Sequence, residues 1–374
     1  MINKTRLIKL TQDLIRINSE NPGSNESRIA GFVKKYLGRL GLKPRIYEFK
    51  KGRSNIVAYL KGTGSRSLLI TPHLDTVPAG RNWTLAPFSG RIINHRIYGL
   101  GATDCKCNLA ASLEVIKSLI EDSALLGYNL VFAATAEEET GSSLGLIPLL
   151  NKRILRPDAA LVLDADEFAV VVAQKGLIHL KVKIRGKKAH GAYPWLGENA
   201  IDAAVKILGE LKSEKRSYKK NKYLRPPTVN IGTIKGGDKV NVVADWCEFE
   251  LDFRFLPGQS PQRMISGLRS IIIKYAKSFE IEISGIQNDY NIDAKHSLVK
   301  ALVAALKAFK LKPRICGSEG ATTITFFREK KIPAIACGFG SKGCAHKVDE
   351  YVTIDNLYKG ARVLEYFLKN YKFS

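Results

Sequence analysis

Short apolar runs that end in a potential metal ligand constrain this 374-residue chain more than any other feature. In a parallel α/β sheet the strands end at one edge, so the residues that follow them meet in a single crevice. A ligand set delivered in this way needs alternating strands and helices behind it. Five residues occur in this setting: His73 in ITPHLDTVP, Asp104 in GLGATDCK, Glu139 in ATAEEETG, Asp164 in LVLDADE and His346 in GCAHKVDE.

The number and kind of these residues indicate the metal chemistry. Two imidazoles and three carboxylates exceed the three protein ligands that one catalytic zinc takes while it keeps a position open. They suit two zinc ions if one of the carboxylates bridges the pair. Such a pair activates a shared water molecule and stabilises the oxygens of a hydrolytic reaction. The residues therefore indicate a dinuclear metallohydrolase.

The pattern of apolar runs predicts two kinds of domain. Runs such as SLLIT (67–71) and AALVLDA (159–165) alternate with helical spacing, which indicates an α/β fold with a mostly parallel sheet flanked by helices. A β-α-β-β-α-β order follows, which is typical of an α+β two-layer sandwich with an antiparallel sheet. We predict a catalytic domain from 1–175 and 287–374, with an inserted domain at 176–286.

Composition limits the class of protein. The N-terminal residues contain no apolar stretch of signal-peptide length, and no segment approaches the roughly 20 apolar residues that a membrane span requires. We therefore expect a cytoplasmic protein that binds no membrane. The six cysteines are scattered and form no C-x-x-C pair, which favours reduced thiols. Cys105 and Cys107 adjoin the predicted metal site, so a thiolate ligand is an alternative there.

The chain carries a net charge of +24, and lysine and arginine are concentrated in residues 181–225. One interpretation is attraction to an acidic partner, substrate or nucleic acid. We favour a solvated basic surface, because charge alone governs solubility and non-specific association. No signature of a nucleic-acid-binding module accompanies the segment, so no nucleic-acid partner is predicted.

Two local motifs suggest how the site is arranged. His73 and Asp75 are two residues apart on an extended segment, so their side chains point the same way. We expect Asp75 to accept a hydrogen bond from the ring of His73, which would fix its tautomer. The adjacent carboxylates of Glu137, Glu138 and Glu139 repel one another unless cations neutralise them. Since neighbours on a turn point differently, one can bind metal while another acts as a general base.

Each residue also has a structural alternative. Asp104 can be an ordinary turn residue, Asp164 can cap the next element, and His346 can be a structural histidine. The acidic run at 137–139 can be a solvated turn. Metal binding is predicted from the occurrence of these residues together rather than from any single motif.

The motifs taken in order resemble one known family. The chain is similar to the zinc-dependent aminoacylase and carboxypeptidase G family, and most of all to its acetylornithine deacetylase and succinyl-diaminopimelate desuccinylase branch. The resemblance runs nearly end to end. It depends on the order and spacing of NPG (21–23), HLDTVP, WTLAPFSG, GLGATDCK, AEEETGS, QKG, KKAHGAYPWLGENA, NVV, DFR and AHKVDEY.

The resemblance implies the metal ligands. It implies two zinc ions, with Co²⁺ or Mn²⁺ as possible substitutes, and a shared aspartate. One ion would be held by His73, Asp104 and Asp164, and the other by Asp104, Glu139 and His346. Asp75 would orient His73, and the peptide bond between Asp104 and Cys105 would be cis.

The resemblance also implies the catalytic and substrate-binding residues. Glu138 would take a proton from a metal-bridging water and deliver it to the leaving amine. His190 would reach into the active site of the partner subunit and stabilise the developing oxyanion. Asn241 and Arg254 would hold the substrate, the arginine through both oxygens of a carboxylate. A salt bridge between Arg254 and Asp252 is the structural alternative.

The expected activity is that of an amide hydrolase in amino-acid biosynthesis. It would remove an acetyl or succinyl group from an amino acid such as ornithine or diaminopimelate, as a homodimer joined through the inserted lid domain. A zinc carboxypeptidase or dipeptidase acting on short peptides is an alternative, and so is a hydrolase that releases an amino acid from an acidic carrier protein. A non-catalytic relative would be expected to have lost Glu138 or a ligand, and this chain has not.

Departures from the family pattern concern the substrate and the metal geometry. Cys105-Lys106-Cys107 replaces a common methionine-lysine-glycine, and Asp164 stands where relatives usually have glutamate. A frequent threonine-aspartate pair is replaced by Ser318-Glu319 or, in an alternative alignment, by Gly320-Ala321. No ligand position is vacant.

Overall fold

The computed structural model describes residues 1–164, 167–214 and 217–373. The chain folds as two compact units. The first comprises Met1–Val172, Ile292–Cys316 and Thr322–Ser374, and the second comprises Ala173–Asn291 and Gly317–Ala321.

Helices and strands alternate along much of the chain. The α-helices are α1 (Lys4–Ile15), α2 (Ser27–Arg39), α3 (Lys106–Glu121), α4 (Leu146–Asn151), α5 (Ala200–Ser213), α6 (Pro261–Tyr275), α7 (Ser297–Ala308) and α8 (Ile354–Asn370). The strands are β1 (Arg45–Glu48), β2 (Ser54–Leu60), β3 (Ser67–Thr71), β4 (Arg91–Ile93), β5 (Arg96–Tyr98), β6 (Asn129–Ala134), β7 (Ala159–Val162), β8 (Ala169–Gln174), β9 (Gly176–Arg185), β10 (Thr228–Gly236), β11 (Trp246–Phe255), β12 (Ser278–Gln287), β13 (Tyr290–Asn291), β14 (Arg314–Ser318), β15 (Ala334–Ala336) and β16 (Tyr351–Thr353).

A mixed, mostly parallel sheet forms the centre of the first unit, in the order β1-β2-β6-β3-β7-β15-β8. Its middle strands are parallel, because β3 pairs with β6 and β7, and β7 pairs with β15. Leu69 lies opposite Val131 on one side and Ala160 on the other. Strands β1, β2 and β8 run antiparallel to their neighbours. The predicted α/β fold with flanking helices is confirmed.

Burial on both faces explains the sequences of the parallel strands. Every residue of β7 is buried, and so is every residue of β3 and β6 after the first. Parallel strands covered by helices on both sides therefore read as continuous apolar runs. Polar residues begin where these strands end, and this concentrates reactive side chains at one edge of the sheet.

The second unit is a two-layer sandwich with the predicted β-α-β-β-α-β order. Its antiparallel sheet has the order β10-β11-β9-β12, and α5 and α6 pack against one face of it. Alternate residues of β9 and β11, such as Val182 and Phe249, enter the core between the two layers. Asn199 and Ser260 cap the two helices by accepting hydrogen bonds from backbone N–H groups.

The second unit extends beyond the predicted insertion at 176–286 and takes in Gly317–Ala321. This short segment joins it through Lys175. The backbone N–H of Lys175 donates to the carbonyl of Ser318 at 3.2 Å, and its Nζ lies 2.6 Å from Glu319 Oε2. The role of this unit as a lid and dimerisation domain stays a prediction.

The structure also bears on the expectations drawn from composition. All six cysteines are free thiols. Within the basic segment, Lys215 and Arg216 lie outside the described residues, while residues 217–220 are exposed and have no regular secondary structure. In the described part of the chain, no helix combines the length and the apolar character needed to cross a bilayer.

Candidate metal centre

The ends of parallel strands bring three predicted ligands to one edge of the sheet. His73 lies two residues beyond β3, Asp164 two beyond β7, and Glu139 five beyond β6. Because β3 pairs in parallel with both β6 and β7, the three segments leave the sheet in the same direction. An isolated parallel bridge between His73 and Thr135 continues the pairing of β3 with β6 beyond the ends of both strands.

Two loops supply the remaining ligands. Asp104 lies between β5 and α3, and His346 lies between β15 and β16. The peptide bond between Asp104 and Cys105 is cis, as predicted. The structure thus brings all five predicted ligands into one site.

The five side chains form two donor groups that share one carboxylate. Asp104 Oδ1 lies 2.9 Å from His73 Nε2, and its other oxygen, Oδ2, lies 3.3 Å from His346 Nε2. Asp164 Oδ1 is 3.5 Å from His73 Nε2, and Glu139 Oε2 is 3.1 Å from His346 Nε2. Within each group the donor atoms lie within 4.8 Å of one another. A carboxylate between two imidazoles is suited to bridging two cations.

Asp104, Glu138, Glu139 and Asp164 form an acidic cluster without a permanent positive charge. Across residues 1–164, 167–214 and 217–373, no lysine or arginine lies within ion-pair distance of these four carboxylates. Burial and repulsion between neighbours raise the pKa of Glu138, Glu139 and Asp164. Burial acts on Asp104 too, but hydrogen bonds from the two histidines hold its pKa below the usual range.

The histidines are shifted toward their charged form. Hydrogen bonds to Asp104 and Glu139 raise the pKa of His346 to about 10. Burial opposes a charge on His73, yet the surrounding acidic groups raise its pKa well above the ordinary value. Without cations the site therefore binds protons, which divalent metal ions would displace.

One buried oxygen of the cluster has no hydrogen-bond partner among the described residues. This atom is Oε1 of Glu139. A buried polar atom of this kind costs free energy unless something binds it. Imidazole nitrogens and carboxylate oxygens suit Zn²⁺, and they also accept Co²⁺ or Mn²⁺. The side chains present therefore fit a pair of divalent cations.

Asp75 contacts the site differently from the expected arrangement. The ring nitrogen Nδ1 of His73 faces the backbone carbonyl of Asp75 at 3.0 Å, whereas the nearest carboxylate oxygen is 3.6 Å away. That carboxylate accepts hydrogen bonds from the backbone N–H groups of Glu138 and Glu139, at 3.0 and 3.2 Å, and from Asn21 Nδ2 at 3.0 Å. The Asp75 carboxylate is therefore hydrogen-bonded to the turn that carries the glutamates. The backbone carbonyl of Asp75 lies closer to the His73 ring than this carboxylate does.

The three adjacent glutamates have different surroundings, as predicted. Glu137 has a left-handed backbone conformation, with φ of 60°, and its carboxylate accepts hydrogen bonds from Ser143 and Leu144. Glu138 begins a short 3-10 helix, Glu138–Thr140. Glu139 faces His346, whereas Glu138 belongs to neither donor group. Of the three glutamates, only Glu139 is therefore a candidate metal ligand among the described residues.

The two cysteines beside Asp104 belong to neither donor group. Cys105 Sγ lies 3.0 Å from the carbonyl of Leu163, and Cys107 Sγ lies 3.1 Å from that of Thr103. Burial raises the pKa of both thiols. They are therefore protonated donors in the core, and the thiolate alternative has no support.

His190 and Asn241 lie together in the second unit. His190 is exposed, and its Nδ1 accepts a hydrogen bond from the N–H of Ala192 at 3.1 Å. Because Nδ1 is the acceptor, the neutral ring carries its proton on Nε2. Nε2 is then a hydrogen-bond donor that this contact does not use. The carbonyl of Asn241 accepts from the N–H of Gly191 at 2.8 Å, which holds the two loops side by side.

Arg254, also in the second unit, forms the salt bridge considered as its structural alternative. Its Nε and Nη2 donate to the two oxygens of Asp252 at 2.8 and 3.0 Å. The remaining nitrogen, Nη1, is buried. The guanidinium is thus oriented by Asp252, and its Nη1 is left without a hydrogen-bond partner among the described residues.

Glu350 is a buried residue that contacts the loop carrying Asp104, and it is not among the residues predicted from the sequence. Its carboxylate accepts hydrogen bonds from the backbone N–H groups of Gly101, Thr103 and Asp104. Its position in the polar run HKVDEY is typical of a solvated residue. Only the fold shows that it is buried, because its partners are about 250 residues away in sequence.

Comparison with known proteins connects this site to a family. Residues 69–370 match the model of peptidase family M20/M25/M40. An uncharacterized metallohydrolase of Methanocaldococcus jannaschii is 30% identical, over 97% of this chain and 98% of its own length. The acetylornithine deacetylase of Vibrio cholerae is 29% identical, over 93% of this chain and 92% of its own.

Solved structures share the fold. Aminopeptidase PepT from Bacillus cereus has a TM-score of 0.84 and 22% identity, over 98% of each chain. A tripeptidase from Staphylococcus aureus has a TM-score of 0.82 and 26% identity, over 99% of this chain and 98% of its own. The chain belongs to peptidase family M20/M25/M40, and it is an enzyme that acts on amide bonds.

Proposed function

We propose that the protein is a dinuclear metal-dependent hydrolase that removes an acetyl or succinyl group from the nitrogen of an amino acid such as ornithine or diaminopimelate. The observation that carries this proposal is the Asp104 carboxylate, whose two oxygens face two imidazoles in two donor groups. His73, Asp104 and Asp164 would hold one cation, and Asp104, Glu139 and His346 the other. Zn²⁺ suits these donors, with Co²⁺ or Mn²⁺ as substitutes.

Glu138 would be the general base. When bound, the two cations would polarise the scissile carbonyl and lower the pKa of a water molecule. Burial raises the pKa of Glu138 above its ordinary value, which makes its carboxylate a better proton acceptor near neutral pH. Asp75 holds the backbone N–H of this residue, so the base has a fixed position. Glu138 would take a proton from the attacking water and deliver it to the leaving nitrogen.

His190 would stabilise the developing oxyanion in the active site of a partner copy. Its Nδ1 already accepts a hydrogen bond, so the neutral ring offers Nε2–H as a donor. A preorganised donor of this kind stabilises a transition state by about 3–4 kcal/mol. Because the histidine would act across subunits, the proposal includes a homodimer joined through the second unit.

Arg254 and Asn241 would bind the amino-acid part of the substrate. The ion pair with Asp252 orients the guanidinium of Arg254, and its unpartnered Nη1 can donate to a substrate carboxylate. Asn241 is exposed beside His190 and offers an amide for a second polar contact.

Hydrolysis of short peptides is the second candidate. The 29% identity with the acetylornithine deacetylase of Vibrio cholerae supports deacylation. The tripeptidase of Staphylococcus aureus, at 26% identity and a TM-score of 0.82, supports peptide hydrolysis. Both reactions break an amide bond beside a charged group and would use the same metal pair and the same base.

A substrate panel separates these candidates. The panel contains N-acetylornithine, N-succinyl-diaminopimelate, N-acetylglutamate, a dipeptide and a tripeptide, each assayed with the zinc-loaded protein. We expect the highest kcat/KM for an N-acyl amino acid and a loss of kcat/KM in Arg254→Gln for substrates that carry an α-carboxylate. A preference for the peptides would replace deacylation with the second candidate, and inactivity on every amide would refute the proposed reaction.

A further inference from the structure

The carboxylate of Glu350 is buried, with 2% of the residue exposed, four residues after His346. Its Oε2 accepts a hydrogen bond from the backbone N–H of Gly101 at 2.8 Å. Its Oε1 accepts from the N–H groups of Thr103 at 2.7 Å and Asp104 at 2.8 Å. One side chain therefore holds three backbone donors of the loop that presents the shared ligand.

The hydrogen-bond donors around this carboxylate are backbone N–H groups. Within the described residues, no lysine, arginine or histidine lies within ion-pair distance of Glu350. A buried carboxylate is costly unless it is hydrogen-bonded, and the three bonds from the backbone supply part of that compensation. Removing the carboxylate would leave these donors unpaired, so the loop would have to rearrange.

The same loop is tied to the segment 341–351, which carries the histidine of the second donor group. Thr103 Oγ1 donates to the carbonyl of Tyr351 at 2.7 Å and lies 3.0 Å from the N–H of Ser341, from which it accepts. These bonds attach both ends of the segment to the loop at 99–104. The positions of the two loops that supply ligands therefore depend on one hydrogen-bonded network, with Glu350 at its centre.

We propose that Glu350 is a positioning residue for the metal pair, which fixes the Asp104 carboxylate so that its two oxygens serve both donor groups. This inference rests on the proposed function and adds a residue that is neither a ligand nor the base. Because Asp104 is shared, a displacement of its loop would weaken both cation sites. Loss of a hydrogen-bonding partner behind a metal ligand typically lowers metal affinity by about 10- to 100-fold.

The test compares Glu350→Gln with Glu114→Gln. Glu114 is also a fully buried carboxylate, but it pairs with Arg6 and lies outside both donor groups. Zinc affinity of the metal-free full-length protein is measured by chelator competition, and folding is measured by thermal unfolding of the same samples. We expect zinc affinity to fall by about 10- to 100-fold in Glu350→Gln and to stay at the wild-type value in Glu114→Gln.

Two further measurements separate positioning from general destabilisation. Saturating zinc should restore much of the kcat of Glu350→Gln, and the absorption spectrum of its Co²⁺ form should differ from that of the wild type. If Glu350→Gln does not fold, Thr103→Val removes the hydroxyl of the same network and should lower zinc affinity by a smaller factor.

The results that overturn the inference are specific. Wild-type zinc affinity in a folded Glu350→Gln protein, or in Thr103→Val when the first variant does not fold, would exclude a positioning role. An equal loss of zinc affinity in Glu114→Gln would also exclude a positioning role, because the loss would then result from lower stability of the fold. Wild-type protein that binds no divalent cation would instead refute the proposed function.

Discussion

Two regions of this protein are rich in carboxylates, and they differ in what neutralises them. On the second unit, Lys181, Lys183, Glu248, Glu250 and Glu282 form a charged sheet face on β9, β11 and β12. There Lys181 Nζ lies 3.5 Å from Glu250 and 3.7 Å from Glu248, and Lys183 donates to Glu282. In the acidic cluster of the first unit, the carboxylates face one another and two imidazoles, and no lysine or arginine pairs with them among the described residues.

This difference shows what separates a structural carboxylate from a metal ligand. Each acid of the charged sheet face lies near a lysine and is partly exposed, and exposed pairs of this kind contribute little to stability. The acidic cluster follows strands that are buried on both faces, where burial makes a charge less favourable than it is in water. The place of an acid relative to a buried strand end is therefore more informative than the local density of acids.

Removal of metal ions should have the largest effect. Exhaustive chelation should abolish amide hydrolysis in the wild type and equally in Glu250→Gln, a variant of the charged sheet face, and zinc or cobalt should restore both. The metal-free protein should also melt at a lower temperature, because a ligand at 100 times its Kd stabilises the fold by about 2.7 kcal/mol. Turnover that survives chelation would show that the acidic cluster, like the charged sheet face, does not depend on bound metal.

Asp104→Asn should remove nearly as much bound metal as chelation does. Since one carboxylate serves both donor groups, the affinity for both cations should fall by more than about 100-fold, beyond the effect of losing a residue behind a ligand. Isothermal titration with zinc measures this, with Glu250→Gln as the matched control that should bind normally. Loss of a single cation would mean that the carboxylate is not shared.

Glu138→Gln should separate the base from the ligands within the acidic cluster. Glu138 belongs to neither donor group, so both cations should remain bound. Turnover should fall by about 10²- to 10⁴-fold, the usual contribution of general acid–base catalysis. Metal content and kcat measured on one preparation test this, and unchanged kcat would exclude Glu138 as the base.

The smallest effect is expected on the charged sheet face. A hydrogen bond from Thr233, with Lys181 nearby, lowers the pKa of Glu250 below its ordinary value of 4.5. Its stabilising effect is therefore present above pH 4.5 and is lost as the pH falls through the lowered value. Wild type should melt at most about 2 °C above Glu250→Gln at pH 7, and the difference should disappear once the pH has fallen below the lowered pKa of Glu250. A larger or pH-independent difference would show that this face is more than a solvated surface.

Much of the fold and of the ligand set could be predicted from the sequence, for a physical reason. Strands β3, β6 and β7 are apolar on both faces. In the sequence, each strand end is therefore marked by a change from apolar to polar residues, at His73, Glu137 and Asp164. Parallel pairing then brings those ends together. The helices α5 and α6 were equally visible, because their apolar spacing agrees with the burial of one face.

Other contacts depend on proximity that the sequence does not show. From the sequence, Glu350 is expected to be a solvated acid. In the fold it accepts hydrogen bonds from backbone N–H groups of the loop that carries Asp104. The carboxylate of Asp75 is within reach of His73, but the turn bearing Glu138 occupies it. The segment at 317–321 joined the second unit because of Lys175, a contact across more than 140 residues. Such hydrogen bonds between distant loops leave no periodic pattern in a sequence.

The central claim is that one carboxylate joins two cation sites in the acidic cluster. The most direct test is the metal content of the full-length protein after zinc reconstitution and desalting, measured by mass spectrometry against protein concentration. We predict two zinc ions per chain for the wild type and a loss of both in Asp104→Asn. A wild-type content of one zinc or none, or an Asp104→Asn protein that keeps two, would contradict the account.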